Sequence, residues 1–257
     1  MFKRYYLIFF LIYFFCVPVY AGAWVQKKGE GLNITTLRRY ISHQYWTPSA
    51  SLMNSPTYAK NEVDEFVEYG VSNDLTLGAY FSALKSHTSA MGTQGGLNDA
   101  MLFGRYLFWQ SGNKVASIQL SVDKLGHAAS LNVPPQNSAL NTQETLLLGM
   151  GDQFWFAGAS LGLIQRYSAG NQIQINLEAG YKFNDNKIWL MLQNYNTISM
   201  DYPNNPQGVA YNLVTLSPSL VYWFTKVVGL QLGITQDIYG QNVGKGRGLF
   251  LSAWLRF

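Results

Sequence analysis

Residues 172–183 read QIQINLEAGYKF and alternate without a break. Ile173, Ile175, Leu177, Ala179, Tyr181 and Phe183 fall on one face, and Gln172, Gln174, Asn176, Glu178, Gly180 and Lys182 on the other. Period two with one apolar face is the pattern of a β-strand. The pattern repeats outward from this stretch. In 213–224, Val214, Leu216, Leu220, Tyr222 and Phe224 oppose Thr215, Ser217 and Ser219. In 228–239, Val228, Leu230, Leu232, Ile234 and Ile238 oppose Gln231, Thr235 and Asp237. The chain closes with Leu249, Leu251, Ala253, Leu255 and Phe257 opposite Ser252, Trp254 and Arg256, and segments 75–84 and 115–123 behave alike. Such segments exceed the ~5–6 residues of an ordinary soluble strand and match the ~9–11 of a tilted strand crossing a bilayer.

The connections alternate in length. Short ones are expected at 72–74, 110–113, 151–153, 184–187 and 225–227, and longer ones at 43–59, 87–97, 125–141, 166–171, 197–211 and 241–247. Short turns on one side and long loops on the other are the topology of an outer-membrane barrel. The expected fold is therefore all-β: a transmembrane antiparallel barrel of twelve strands over 22–257. Ten is the alternative count, depending on whether 143–165 holds one strand or two.

Composition agrees with that reading. Only 12% of the 257 residues are charged, 15% are aromatic, and mean hydropathy is −0.02. Disorder is excluded by the aromatic content and low charge. One apolar run in the whole chain excludes a helical membrane bundle. A barrel explains the numbers: one face of each strand meets lipid, where a Lys or Arg at mid-depth costs about 2–4 kcal/mol, and the other face is polar.

The N-terminus reads as a secretory signal over 1–21. Lys3 and Arg4 precede an apolar run from Tyr5 to Val17, Pro18 breaks it, and Val19 and Ala21 supply small residues before a cut after Ala21. The one cysteine, Cys16, and two of the basic residues leave with it, so the processed chain carries +2 rather than +4 and no thiol. No nucleic-acid role is read from so small a charge. The end, Trp254-Leu255-Arg256-Phe257, is an alternating strand with a terminal aromatic. It resembles the signal read by the barrel-assembly machinery of bacterial outer membranes, with Trp254 and Phe257 as the marked positions.

Aromatics at strand ends are candidates for interfacial girdles: Tyr106, Phe108, Trp109, Tyr181, Phe183, Tyr222, Trp223, Phe224 and Phe257. Two residues strain the scheme. Glu65 shares parity with Val63, Val67 and Tyr69, which calls for a bulge or a later strand start. Pro218 lies inside a strand, which calls for a bulge nearby.

Gly22-Ala23-Trp24 with Lys28-Gly29-Glu30-Gly31 resembles the opening of a barrel family named for the meta-pathway of phenol degradation, whose members are called outer-membrane transporters. The resemblance recurs at Glu68-Tyr69-Gly70 with Leu75-Thr76-Leu77-Gly78, at Pro218-Ser219-Leu220-Val221-Tyr222, and at Gly244-Lys245-Gly246-Arg247-Gly248. It implies an outer-membrane channel for small, hydrophobic or aromatic solutes.

No enzyme site stands out. His87-Thr88-Ser89 has the His-x-Ser spacing of barrel phospholipases but none of their other features, and His43 and His127 read as loop residues. Loops 87–97 and 125–141 carry no carboxylate, which argues against calcium. Neither metal nor cofactor is expected. Lys245 and Arg247 are candidates to touch lipopolysaccharide phosphates from outside. By parity the lumen-facing charges include Glu68, Arg105, Asp123, Glu178, Lys182, Asp237 and Arg256, a mixture without a ring of one sign. The expectation is a passive outer-membrane channel among lipid and lipopolysaccharide. A non-conducting surface barrel is the alternative, and a barrel phospholipase a weaker one.

Overall fold

The computed structural model describes residues 22–89, 92–125, 140–166, 170–183, 185–200 and 210–257. Residues 1–21, expected to be a signal segment, and His127 lie outside them. Twelve antiparallel strands close into one barrel in sequence order. They are β1 (Gly31–Trp46), β2 (Leu52–Gly70), β3 (Leu75–Thr88), β4 (Gly92–Ser111), β5 (Lys114–Leu125) and β6 (Leu140–Gly151), then β7 (Trp155–Gln165), β8 (Gln172–Phe183), β9 (Ile188–Ser199), β10 (Asn212–Trp223), β11 (Val228–Gln241) and β12 (Val243–Arg256). The doubtful stretch 143–165 is two strands, joined by a turn at 152–154. That turn is tied by Asp152, whose carboxylate accepts the Phe154 N–H at 2.7 Å and the Trp155 N–H at 3.0 Å. These bonds hold the Asp152 carboxyl below its ordinary range.

Closure joins β1 to β12, from Leu32 opposite Arg256 to Trp46 opposite Val243. Phe257 completes it: Gly31 and Phe257 exchange backbone bonds of 2.7 and 3.1 Å. Every strand therefore has two neighbours, which is what a sheet in lipid requires.

Burial is inverted relative to a soluble protein. Leu102, Leu120, Leu232 and Leu249 point outward and are more than half exposed, while Thr76, Ser82, Ser117, Ser217 and Ser252 face inward and are buried. An apolar surface continuous around a barrel far exceeds the few hundred Å² that soluble monomers expose. It matches the lipid-facing band of a membrane barrel.

Four expectations are corrected. Segments 43–59, 87–97 and 241–247 are mostly strand. β1 and β2 pair up to Trp46 and Leu52, β3 and β4 up to Thr88 and Gly92, and Asn242 alone, at φ 53°, separates β11 from β12. Glu65 needs no bulge: it pairs regularly with Thr35 and Phe81 and stays on the outer face. Asn33 Nδ2 and Thr35 Oγ1 on β1 donate to its carboxylate. Pro218 itself is not bulged: it sits in regular register opposite Leu192 on β9, while on the β11 side the ladder passes over Ser217 and Pro218. The register shift on that hairpin lies between Val214 and Thr215 instead. Trp223 is not in a girdle: it is 4% exposed and packed inside, whereas the other eight candidates face outward and are exposed or half-buried.

Candidate functional site in the barrel lumen

A solute crossing the barrel would meet only its inner face, because the outer one is an apolar band. Its end at the short turns is packed. Phe156, Trp189, Trp223, Trp254, Met191, Val221 and Leu32 form a buried cluster, with Trp24 and Ile34 against it. Trp189 touches Phe156, Trp223 and Trp254 at ring-centroid distances of 6.0, 5.6 and 6.5 Å. Two predicted lumen charges cap this cluster. The Arg256 guanidinium lies 3.6 Å from the Trp223 ring centre, and Lys182 Nζ lies 5.5 Å from that of Trp189. Lys182 also donates to the Asp152 carbonyl at 3.1 Å. Trp189→Ala should cost about 3–5 kcal/mol, the usual loss for a buried Trp. Urea titration of the refolded barrel, read by heat-modifiable migration, checks this.

The other side of the lumen holds the segment before β1. Residues 22–27 do not leave the barrel; they run back into it as a strap. Lys28 bridges Gly70, and Gln26 donates from its backbone to Thr76 Oγ1 at 2.7 Å and from its side chain to Glu68 at 2.6 Å. The Trp24 carbonyl accepts from Arg105 Nη1 at 3.0 Å, and the Ala23 carbonyl from Ser117 Oγ at 2.5 Å. Gly22 ends beside the Glu178 carboxylate on β8. The strap thus crosses from β2 to β8. It is held by side chains, not by a ladder of backbone bonds.

Glycine makes room for it. A Cβ on Gly149 would meet the Trp24 ring at 2.6 Å and the Ala23 Cβ at 3.0 Å, and one on Gly70 would collide with the Lys27 carbonyl. Gly149→Val is expected to displace the strap without disturbing the outer face, seen as faster proteolysis of the N-terminus in the folded barrel.

Glu68 and Arg105 clamp the strap as a buried ion pair at 3.2 Å, with side chains 2% and 6% exposed. Arg105 is braced by Gln119 at 3.0 and 3.1 Å. Structure thus brings Glu68, Arg105 and Glu178 together around the strap, and Lys182 and Arg256 together on the aromatic cluster. Asp123 and Asp237 stand apart, nearer the far rim. Asp123 accepts from Asn141 at 2.9 Å. Asp237 accepts from Tyr40 at 2.5 Å, Thr215 at 2.7 Å and the Gly246 N–H at 2.9 Å.

Further from the short turns the inner wall is polar and less filled. Asp64 is bonded by Arg38 at 3.2 Å and Tyr80 at 3.1 Å, and Lys60 pairs with Glu62 at 2.8 Å. Tyr40 and Tyr58 meet edge to face at 6.3 Å. Tyr195 is 41% exposed although it points inward, so open space lies before it. Acids and bases are nearly balanced here: Glu62, Asp64, Asp99, Asp123 and Asp237 against Arg38, Lys60, Arg166 and Lys245.

No family model and no curated protein matches this chain. Its fold does match solved structures. An outer-membrane channel from Pseudomonas putida F1 superposes with a TM-score of 0.74 at 13% identity, over 94% of this chain and all of that one. The chain has an outer-membrane channel fold. KdgM porin matches with a TM-score of 0.53 at 7% identity, covering 87% of this chain and 99% of the porin. NanC porin matches with 0.55 at 9% identity, covering 86% and 98%.

His87 is bonded to Thr93, across the β3–β4 hairpin. Its Nδ1 lies 3.1 Å from Thr93 Oγ1, and it sits on the outer face. His43 Nδ1 bonds Thr57 Oγ1 at 3.0 Å. Among the described residues no group of three or more His, Cys, Asp or Glu is arranged to hold a metal. The strap is the feature that alternation missed. A trace of it was present, in inward glycines at 149 and 158 that a filled lumen demands.

Proposed function

We propose that this protein is a passive outer-membrane channel for small solutes, with its narrowest section set by the strap. The observation that carries the proposal is the strap's mode of attachment. The strap is no part of the wall's ladder, yet it is fixed across the lumen by buried polar anchors, Glu68, Arg105, Ser117 and Thr76, so it narrows the bore at a defined place. The channel fold shared with the Pseudomonas protein and the two porins supports the same reading.

The resemblance to the phenol meta-pathway family points to aromatic or apolar solutes. Four inward tyrosines, Tyr40, Tyr58, Tyr80 and Tyr195, support it. The phenols of Tyr40 and Tyr80 are tied to Asp237 and Asp64, so their ring faces are what a solute meets.

Cleavage after Ala21 would give Gly22 a free ammonium next to Glu178. The Oε1 of Glu178 is buried and has no hydrogen-bond partner among the described residues. An ion pair there would lock the strap's end. N-terminal sequencing of the outer-membrane form should read Gly-Ala-Trp, and Glu178→Gln should raise open-channel noise.

Swelling of liposomes containing the purified protein tests the channel. Uptake graded by solute size, faster for phenols than for sugars of equal size, is expected. No flux of any solute would overturn the proposal and favour the second reading, a closed surface barrel, which the packed Trp cluster supports.

A further inference from the structure

On the outer wall one register row crosses five strands: Leu249 of β12, Arg39 of β1, Asn61 of β2, Lys85 of β3 and Gly95 of β4. Residues facing each other across antiparallel strands share a side. Their chain neighbours Glu62, Leu84 and Phe250 are inward and buried, so this row points out. Arg39, Asn61 and Lys85 are exposed. Exposed Arg247, opposite Ile41, stands one diagonal step from Arg39.

These cations have no acid to answer them. The three ion pairs among the described residues, Arg38–Asp64, Lys60–Glu62 and Arg105–Glu68, all lie on the inner face. The one outward acid on β1–β3 is Glu65, and Asn33 and Thr35 already bond it. Lys245, expected to act with Arg247, is instead half-buried with its ammonium 5.6 Å from the Trp46 ring centre.

Depth matters as much as charge. Arg39 is eight residues above Gly31 at the short-turn end, which on a tilted strand rising ~3.3 Å per residue is roughly 20 Å. The apolar band of such barrels is ~25 Å tall, so the row stands at its upper edge. The next row toward the short turns, Leu251, Leu37, Val63 and Ala83, is wholly apolar. Between the two rows runs a groove of about 510 Å³. Adjacent strands are ~4.8 Å apart, so Arg39 and Lys85, two strands apart, bracket about 10 Å, the width of one headgroup.

We propose that Arg39, Lys85 and Arg247, with Asn61 between them, bind the phosphorylated headgroup of one outer-leaflet lipopolysaccharide, whose acyl chains fill the groove below. A phosphate supplies the charge the wall lacks, and the guanidinium groups bind it through two parallel bonds. The inference rests on the outer-membrane reading, but not on whether the lumen conducts.

The test is native mass spectrometry of the full processed barrel, exchanged into detergent with bisphosphorylated lipid A as the probe. Monophosphorylated lipid A and phosphatidylethanolamine serve as controls. Wild type should retain one bisphosphorylated lipid and several-fold less of each control. The triple variant Arg39→Gln, Lys85→Gln, Arg247→Gln should lose that preference while its heat-modifiable migration is unchanged. A Lys114→Gln, Lys226→Gln variant at the short turns should keep it. Equal retention by wild type and triple variant, or indifference to phosphate number, would overturn the site. Liposome swelling of the same samples reports the channel separately, so either idea can fail alone.

Discussion

Deleting residues 22–27, so that the processed chain begins at Lys28, is expected to raise single-channel conductance several-fold while the barrel still forms. Nothing in the wall depends on the strap: all twelve strand pairings lie within 31–256. What the strap does is occupy lumen. Its Trp24 packs against the Trp cluster on one side and against Val115 and Leu147 on the other, bridging a space that would otherwise be open. Removing it also leaves Ser117, Thr76 and one Arg105 N–H facing water instead of the strap backbone. These groups hydrate readily, so stability should fall less than bore rises. Planar-bilayer recording decides the matter. Unchanged conductance would mean that the narrowest section lies elsewhere.

Arg105→Ala is expected to cost about 3–5 kcal/mol, because removing one partner of a buried ion pair leaves the other charged and uncompensated. Here Glu68 would be stranded at 2% side-chain exposure with Gln26 as its remaining bonded partner. Gln119 and the Trp24 carbonyl would lose their donor too. The double variant Glu68→Gln, Arg105→Gln should recover most of the loss, since no buried charge remains. Urea titration of the refolded barrels distinguishes these outcomes. A double variant as unstable as the single one would show that Arg105 acts through packing. The same Arg105→Ala protein should conduct more than wild type, since the clamp on Trp24 is gone.

Strand pairs were legible wherever lipid contacts one face. In β8, β10, β11 and β12 an apolar residue is required at every second position, and the expected bounds agree with the observed ones to within a few residues, apart from the start of β12. Above the apolar band both faces of a hairpin are wet and the alternation fades. The Ser-, Thr- and Gly-rich stretches of β2, β3 and β4 therefore read as loop although their ladders continue. Glu65 was visible as an anomaly, but its remedy, two donors on a neighbouring strand, depends on register, which periodicity does not encode. Trp223 was misplaced against its own parity: Tyr222 and Phe224 face out, so Trp223 between them faces in.

The lumen was half legible. Parity places Glu68, Arg105, Glu178 and Lys182 on the inner face, but which of them meet depends on stagger between strands and on the strap. The strap itself has no period to read. Its contacts reach from Gly22 to Glu178 and from Ala23 to Ser117, separations at which local pattern carries no information.

A disulfide between Ala23→Cys and Gly149→Cys asks whether the strap lies inside the folded barrel. The one native cysteine is Cys16, within the segment expected to be removed, so a chain cut after Ala21 gives a clean background. A Cβ on Gly149 would stand 3.0 Å from the Ala23 Cβ and 2.6 Å from the Trp24 ring, so the strap must draw back slightly; that shift brings the Cβ atoms toward the usual separation of about 3.8 Å, and the bond then holds the strap where a Val side chain would push it away. The pair is expected to oxidise in the folded barrel, and the oxidised channel to keep the small wild-type conductance. A correctly folded barrel in which the two thiols stay free would contradict that placement.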